Sequence, residues 1–123
     1  MEKFVNKVEL SGHAGMDPEV RSINDNLKIA KFSLATNESY KNKEGEWVRD
    51  TTWHNIVLWN KLATEAEEKV KKGNRVNLTG KLSYRQYIDK NGMKHSFAEI
   101  QALSFDVVES KIENLVEAGD ELP

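Results

Sequence analysis

Apolar and polar residues alternate with a period of two over most of the chain, the signature of half-buried strands. In residues 28–36, KIAKFSLAT, Ala30, Phe32, Leu34 and Thr36 fall on one face and Ile29, Lys31, Ser33 and Ala35 on the other. In residues 51–59, TTWHNIVLW, His54, Ile56 and Leu58 point one way, and Trp53, Asn55, Val57 and Trp59 the other. Residues 75–87 give an apolar face of Val76, Leu78, Leu82 and Tyr84, backed by Arg75, Asn77, Thr79, Lys81, Ser83, Arg85 and Tyr87. Gly80 within that stretch predicts a bulge or a barrel corner. The pair Asn91-Gly92 predicts a type I′ hairpin turn, with a return strand from about Lys94 to Val108.

The period changes once. In residues 61–73, Leu62, Ala66 and Val70 recur every fourth position with Ala63 beside them, a narrow helical stripe. Lys69, Lys71 and Lys72 suit the last turn of such a helix and Gly73 is placed to cap it. The order strand, strand, strand, helix, strand, strand predicts an all-β OB-fold, a five-stranded Greek-key barrel with a short helix between strands 3 and 4. An immunoglobulin-like sandwich would want about seven strands and no helix.

Length agrees with one such core: 123 residues make a single domain. The unbroken apolar runs are only a few residues long, too short for a membrane-spanning helix or a signal peptide. The chain has no cysteine, which excludes disulfides, thiolate zinc sites and a cysteine nucleophile, and an intracellular protein is expected. The net charge of −2 argues, at face value, against a nucleic-acid partner. It is unevenly spread, however. Residues 1–108 carry seventeen basic and fifteen acidic side chains, whereas residues 109–123 carry one Lys and five acids. The chain divides accordingly into a barrel domain, 1–108, and a short acidic tail, 109–123.

The aromatic residues supply the candidate chemistry. If His54, Ile56 and Leu58 face the core, Trp53 and Trp59 share the opposite face, and Tyr87 shares a face with Lys81 and Arg85. Rings among cations suit unpaired nucleobases, which stack on a π-face while the cations track the phosphates. Periodicity alone leaves a second reading open, in which the two tryptophans pack in the core or in a subunit interface. Residues 40–49, YKNKEGEWVR, interleave Lys41, Lys43 and Arg49 with Tyr40 and Trp47, as a strand-embracing flap or a solvated loop would.

The segments VNKVELSGHAGMDPEVR at 5–21, FSLATNESY at 32–40, WHNIVLWNKLATEAEEKVKKGNRVNLTGKL at 53–82 and SYRQYIDKNG at 83–92 resemble the bacterial-type single-stranded DNA-binding proteins (SSB) in order, spacing and turn position. The resemblance implies base stacking on Tyr40, Trp53, Trp59 and Tyr87, and phosphate contacts from Arg21, Lys61, Lys72 and Arg85. Tyrosines 40 and 87 stand where tryptophan is frequent, Trp59 where phenylalanine is frequent, and Asn55 where arginine is frequent. His54 occupies a position implicated in subunit contact, and a homotetramer is implied. Also implied are single-stranded DNA as partner, a place at the bacterial cytoplasmic nucleoid, no membrane association, and no cofactor or metal. The acidic tail resembles the family's partner-recruiting tip for replication and repair proteins, though Gly119–Pro123 lacks a terminal Phe.

Two rival classes are weighed against this. His13, His54 and His95 lie on separate elements without metal spacing, and neither a phosphate loop nor a nucleophile elbow is present, so no enzyme is expected. An OB-fold that binds protein, or a primosomal replication module, shares the fold but has no use for aromatics flanked by cations.

Overall fold

The computed structural model describes residues 3–108. These form β1 (Val8–Ala14), β2 (Glu19–Asn24), β3 (Leu27–Lys41), β4 (Trp47–Trp59), α1 (Lys61–Lys69), β5 (Arg75–Ile88) and β6 (Lys94–Val108). The strands hydrogen-bond in the order β1-β5-β6-β4-β3-β2, and pairing of His13 and Ala14 with β3 closes the sheet on itself. β1 pairs with β5 and β2 with β3, so the two are halves of one bent strand, broken over residues 15–18 where Pro18 has no amide hydrogen to donate. Counted that way the molecule is the five-stranded barrel predicted from periodicity, with its helix between the third and fourth strands.

The inward positions are those the alternation assigns. Ala30, Phe32 and Leu34 of β3, Ile56 and Leu58 of β4, Val76 and Leu78 of β5, and Ile100 and Ala102 of β6 form the buried core. Ala63, Ala66 and Val70 lie against it, so α1 covers the barrel with its apolar stripe. Each large aliphatic side chain buried here contributes about 1.5–3 kcal/mol. Where β1 crosses β3, a Cβ at Gly12 would collide with the carbonyl oxygen of Ala35, and only glycine permits the approach.

Three local expectations need correction. The helix ends at Lys69, because Val70 turns extended to bury its side chain, so Lys71 and Lys72 lie beyond the last turn. Gly73, at φ +91°, serves the following turn instead and donates its N–H to the Ala14 carbonyl at 2.8 Å. The β5–β6 turn is not type I′, which needs positive φ at both central residues. Only Gly92 has it, at +80°, and the tip is a three-residue loop closed by Asp89 N–H to Met93 O at 2.9 Å and Gly92 N–H to Asp89 O at 3.0 Å.

The third correction concerns the apolar face of β5. Leu82 and Tyr84 do share the side of Val76 and Leu78, yet they are 37% and 66% exposed. β1 stops pairing with β5 at Gly80, and β4 pairs with β6 only at Ile100 and Gln101. Past that point β5 and β6 project as a two-stranded arm that no third described strand covers. The irregularity expected at Gly80 is present, with Thr79 opposite Ser104 and Gly80 opposite Ala102, so the extra residue is Leu103 of β6.

Candidate functional site

The registers trace one row across the outer face of the barrel. Glu19 of β2 pairs with Lys31 of β3, Lys31 with Val57 of β4, Val57 with Gln101 of β6, and Gln101 with Lys81 of β5. Paired residues point to the same side of a sheet. Trp53, Asn55 and Trp59 therefore share this face with Arg21, Lys31, Lys81, Arg85 and Tyr87, because each is an even number of residues from the row. The alternation within β4 and within β5 thus belongs to one continuous surface.

Two further features shape it. Val57 is buried although it lies on the outer face, so Trp53 and Trp59 flank an apolar floor. Trp53 is 59% exposed and rests on the backbone of Gly15, whose own N–H donates to Ser33 O at 2.8 Å. Trp59 is half-buried opposite Ile29, and Arg21 lies opposite the same Ile29 on its other side. Beside the row opens a cleft of about 260 Å³ lined by Met16, Lys31, Asn55, Phe97 and Glu99 among others.

The cations differ in availability. Arg85 Nε stands 3.3 Å from Oε1 of Glu99, the one buried charged side chain among the described residues. Part of the Arg85 charge is therefore already neutralised. Lys61 is exposed at the start of α1, directly after Trp59 and Asn60. Lys72 is exposed in the turn after the helix, its backbone N–H donating to Asp17 Oδ1 at 2.8 Å, close in sequence to the Gly15 seat of Trp53. Asn55, at the position where arginine is frequent, donates to Ala98 O at 3.4 Å and so bridges β4 to β6.

Residues 5–108 match the family described as "Single-strand binding protein family". The chain belongs to that family. It is 37% identical over 110 residues to the single-stranded DNA-binding proteins of Neisseria meningitidis serogroups A and B, covering 89% of this chain and 63% of each of theirs. The chain thus spans 63% of the length of those relatives. It is 38% identical over 109 residues to the mitochondrial single-stranded DNA-binding protein of Danio rerio, covering 83% of this chain and 75% of that one. Among solved structures it is similar to a Plasmodium falciparum SSB complex with ssDNA, with TM-score 0.79, 30% identity, and coverage of 89% of this chain and 99% of that one.

Within this family member, the residues singled out from sequence do not all gather. Trp53, Trp59, Tyr87, Arg21 and Arg85 share the outer face. Tyr40 does not: it pairs with Val48 and has the parity of Phe32 and Leu34, on the other side of the β3–β4 hairpin from Trp53. His54 also lies on that inward side, half-buried, with Nε2 3.0 Å from Thr36 Oγ1. Among aromatics left out of the site by sequence, Trp47 pairs with Lys41 on the Trp53 side of the hairpin, 71% exposed, with the Lys41 ammonium 5.6 Å from its ring centre. Phe97 and His95 sit beside Tyr87. The acidic tail lies outside the described residues.

Proposed function

We propose that this chain binds single-stranded DNA with little regard to sequence and protects it during replication, repair and recombination. The observation that carries the reading is the row from Glu19 to Lys81, which sets Trp53, Trp59 and Tyr87 on one face with four cations. The printed names of the relatives and of the structural neighbour support it.

Bases would stack on Trp53, Trp59 and Tyr87. A strand that passed round the β3–β4 hairpin would reach Tyr40 on its far side. Stacking is worth about 1–3 kcal/mol per base, a general value to which single-strand binding OB-folds themselves contribute. Arg21, Lys61, Lys72 and Arg85 would meet phosphates and release condensed counterions. Since the barrel is only mildly basic, the local placement of cations and ring stacking together carry the affinity. The reaction is binding and not turnover, so a labelled oligonucleotide incubated with Mg²⁺ should stay intact.

A homotetramer is the favoured assembly, supported by the family likeness, by the half-buried His54, and by Leu82, Tyr84 and Leu103 left exposed on the β5–β6 pair. Four copies would multiply the stacking surface. Sedimentation equilibrium tests this, with a monomer counting against it. Recruitment of replication and repair proteins would fall to the acidic tail, and the place of action would be the bacterial nucleoid. No helix among the described residues is long and apolar enough to cross a membrane. Competition tests the function itself: unlabelled single strands should displace a bound labelled one, and an equal mass of duplex should not.

A further inference from the structure

The tip of the β5–β6 arm is built differently from its counterpart on β3–β4, although the two loops have the same form. In the β3–β4 tip, Asn42 Oδ1 accepts from Glu44 N–H and Glu46 N–H, both at 2.9 Å. In the β5–β6 tip, Asp89 Oδ1 accepts from Asn91 N–H at 2.9 Å and Met93 N–H at 3.0 Å. A neutral amide therefore suffices for the turn. What the carboxylate at 89 adds is its second oxygen, and Oδ2 stands 2.7 Å from His95 Nε2.

His95 in turn lies directly opposite Tyr87 in the register, its ring stacked on the tyrosine with centroids 4.9 Å apart and planes 18° from parallel. Phe97 supports the same ring edge-on, its centroid 6.1 Å away at 66°. Tyr87 is nonetheless half exposed. One π-face is covered by an imidazole that a carboxylate holds in place, and the exposed half of the residue is what a base could reach.

We infer that His95, anchored by Asp89, is a positioning residue for a nucleobase stacked on Tyr87, and that its protonation offsets the Asp89 carboxylate beneath that stack. The layers would run base, Tyr87, His95. This rests on the stacking role proposed for Tyr87. No third described strand pairs with this part of the arm; the titratable and charged groups on the face of His95 are Tyr87, Asp89 and, further along, Arg85 opposite Phe97 with its diagonal ion-pair partner Glu99 opposite Ser83. Histidine alone among ordinary side chains changes charge between about pH 5 and 8. An imidazolium stacked in this way is favoured by the tyrosine ring, and by offsetting the Asp89 carboxylate it lessens the repulsion of a nearby phosphate.

The test is quenching of tryptophan fluorescence by an oligo(dT), titrated at about pH 5.5 and pH 8 at fixed ionic strength, on the wild type, His95→Tyr and His95→Ala. The wild type should bind about two- to fivefold more tightly at the lower pH. His95→Tyr keeps a stacked ring without the titration, so it should match the wild type at the higher pH and lose the pH response. His95→Ala should bind more weakly at both. A wild-type pH response that survives in His95→Tyr, or His95→Ala affinity equal to wild type at the higher pH, overturns the inference. If the wild type does not bind the oligonucleotide at all, it is the stacking role of Tyr87 that falls, and the inference with it.

Discussion

The indole of Trp53 lies so close to the backbone of Gly15 that a Cβ at position 15 would stand 2.5 Å from its Cζ3 and 2.9 Å from its Cη2. Gly15 sits in the break between β1 and β2, so the interruption that bends the first strand also provides a seat for the ring. Because Gly15 does not have a positive φ, the demand for glycine here is one of space alone.

Gly15→Ala should therefore move the indole more than it disturbs the fold. Overpacking of this kind costs about 1–3 kcal/mol if the ring stays, and less if an exposed ring swings away. The expected outcome is a shifted Trp emission maximum and a several-fold weaker affinity for single strands, on the order of a lost stacking contact at most. Thermal unfolding should change little. Unaltered emission and affinity would count against the seat.

Trp53→Ala and Trp59→Ala should each weaken binding by about 1–3 kcal/mol, and replacement by Phe should restore most of it. Trp59 is the more buried of the two, so its removal should also lower thermal stability, whereas Trp53→Ala should not. Titration of each variant alongside a melting curve separates the two effects.

Much of this face could be read from the chain because alternation is a strict geometric consequence of a strand. It separates Ile56 and Leu58 from Trp53 and Trp59 without any knowledge of neighbours, and the barrel decides which of the two faces is inward. What alternation does not give is where a strand leaves the barrel. Leu82 and Tyr84 continue the apolar pattern of Val76 and Leu78, but burial needs a partner strand, and β1 ends opposite Gly80. Nor does it give phase across a hairpin whose tip is unknown. Trp47 shares the Trp53 side by alternation within β4, but Tyr40 stands on the other side only because the tip at Asn42–Glu46 fixes Lys41 opposite Trp47. Pairings between strands, such as Arg85 with Glu99 and Tyr87 with His95, depend on the β5–β6 register and its extra residue at Leu103.

Glu99→Gln should release Arg85 from its ion pair. Removing one partner of a fully buried pair is costly, but Arg85 is 43% exposed and can turn to solvent. Single-strand affinity should rise, and the slope of log K against log salt should steepen by about 0.7, one more phosphate contact. An unchanged slope would mean that Arg85 meets no phosphate.

The Asp89 carboxyl is held below its usual range, first by the hydrogen bond with His95 and then by the Met93 and Asn91 amides. A carboxyl depressed in the folded state stabilises it above the unfolded-state value and loses that contribution as pH falls through the folded value. Wild type should melt above Asp89→Asn near neutral pH, since the asparagine can still close the tip as Asn42 does. The gap should narrow as the pH falls below about 4, the ordinary carboxylate range. Melting curves of both proteins between neutral and acid pH check the sign.

The central claim is tested most directly by titrating the protein with poly(dT), following tryptophan fluorescence, and repeating the titration with a duplex of equal length. Stacking on Trp53 and Trp59 predicts strong quenching by the single strand, weakening as salt rises, with little response to the duplex. Absence of quenching by poly(dT), or equal affinity for the duplex, would contradict it.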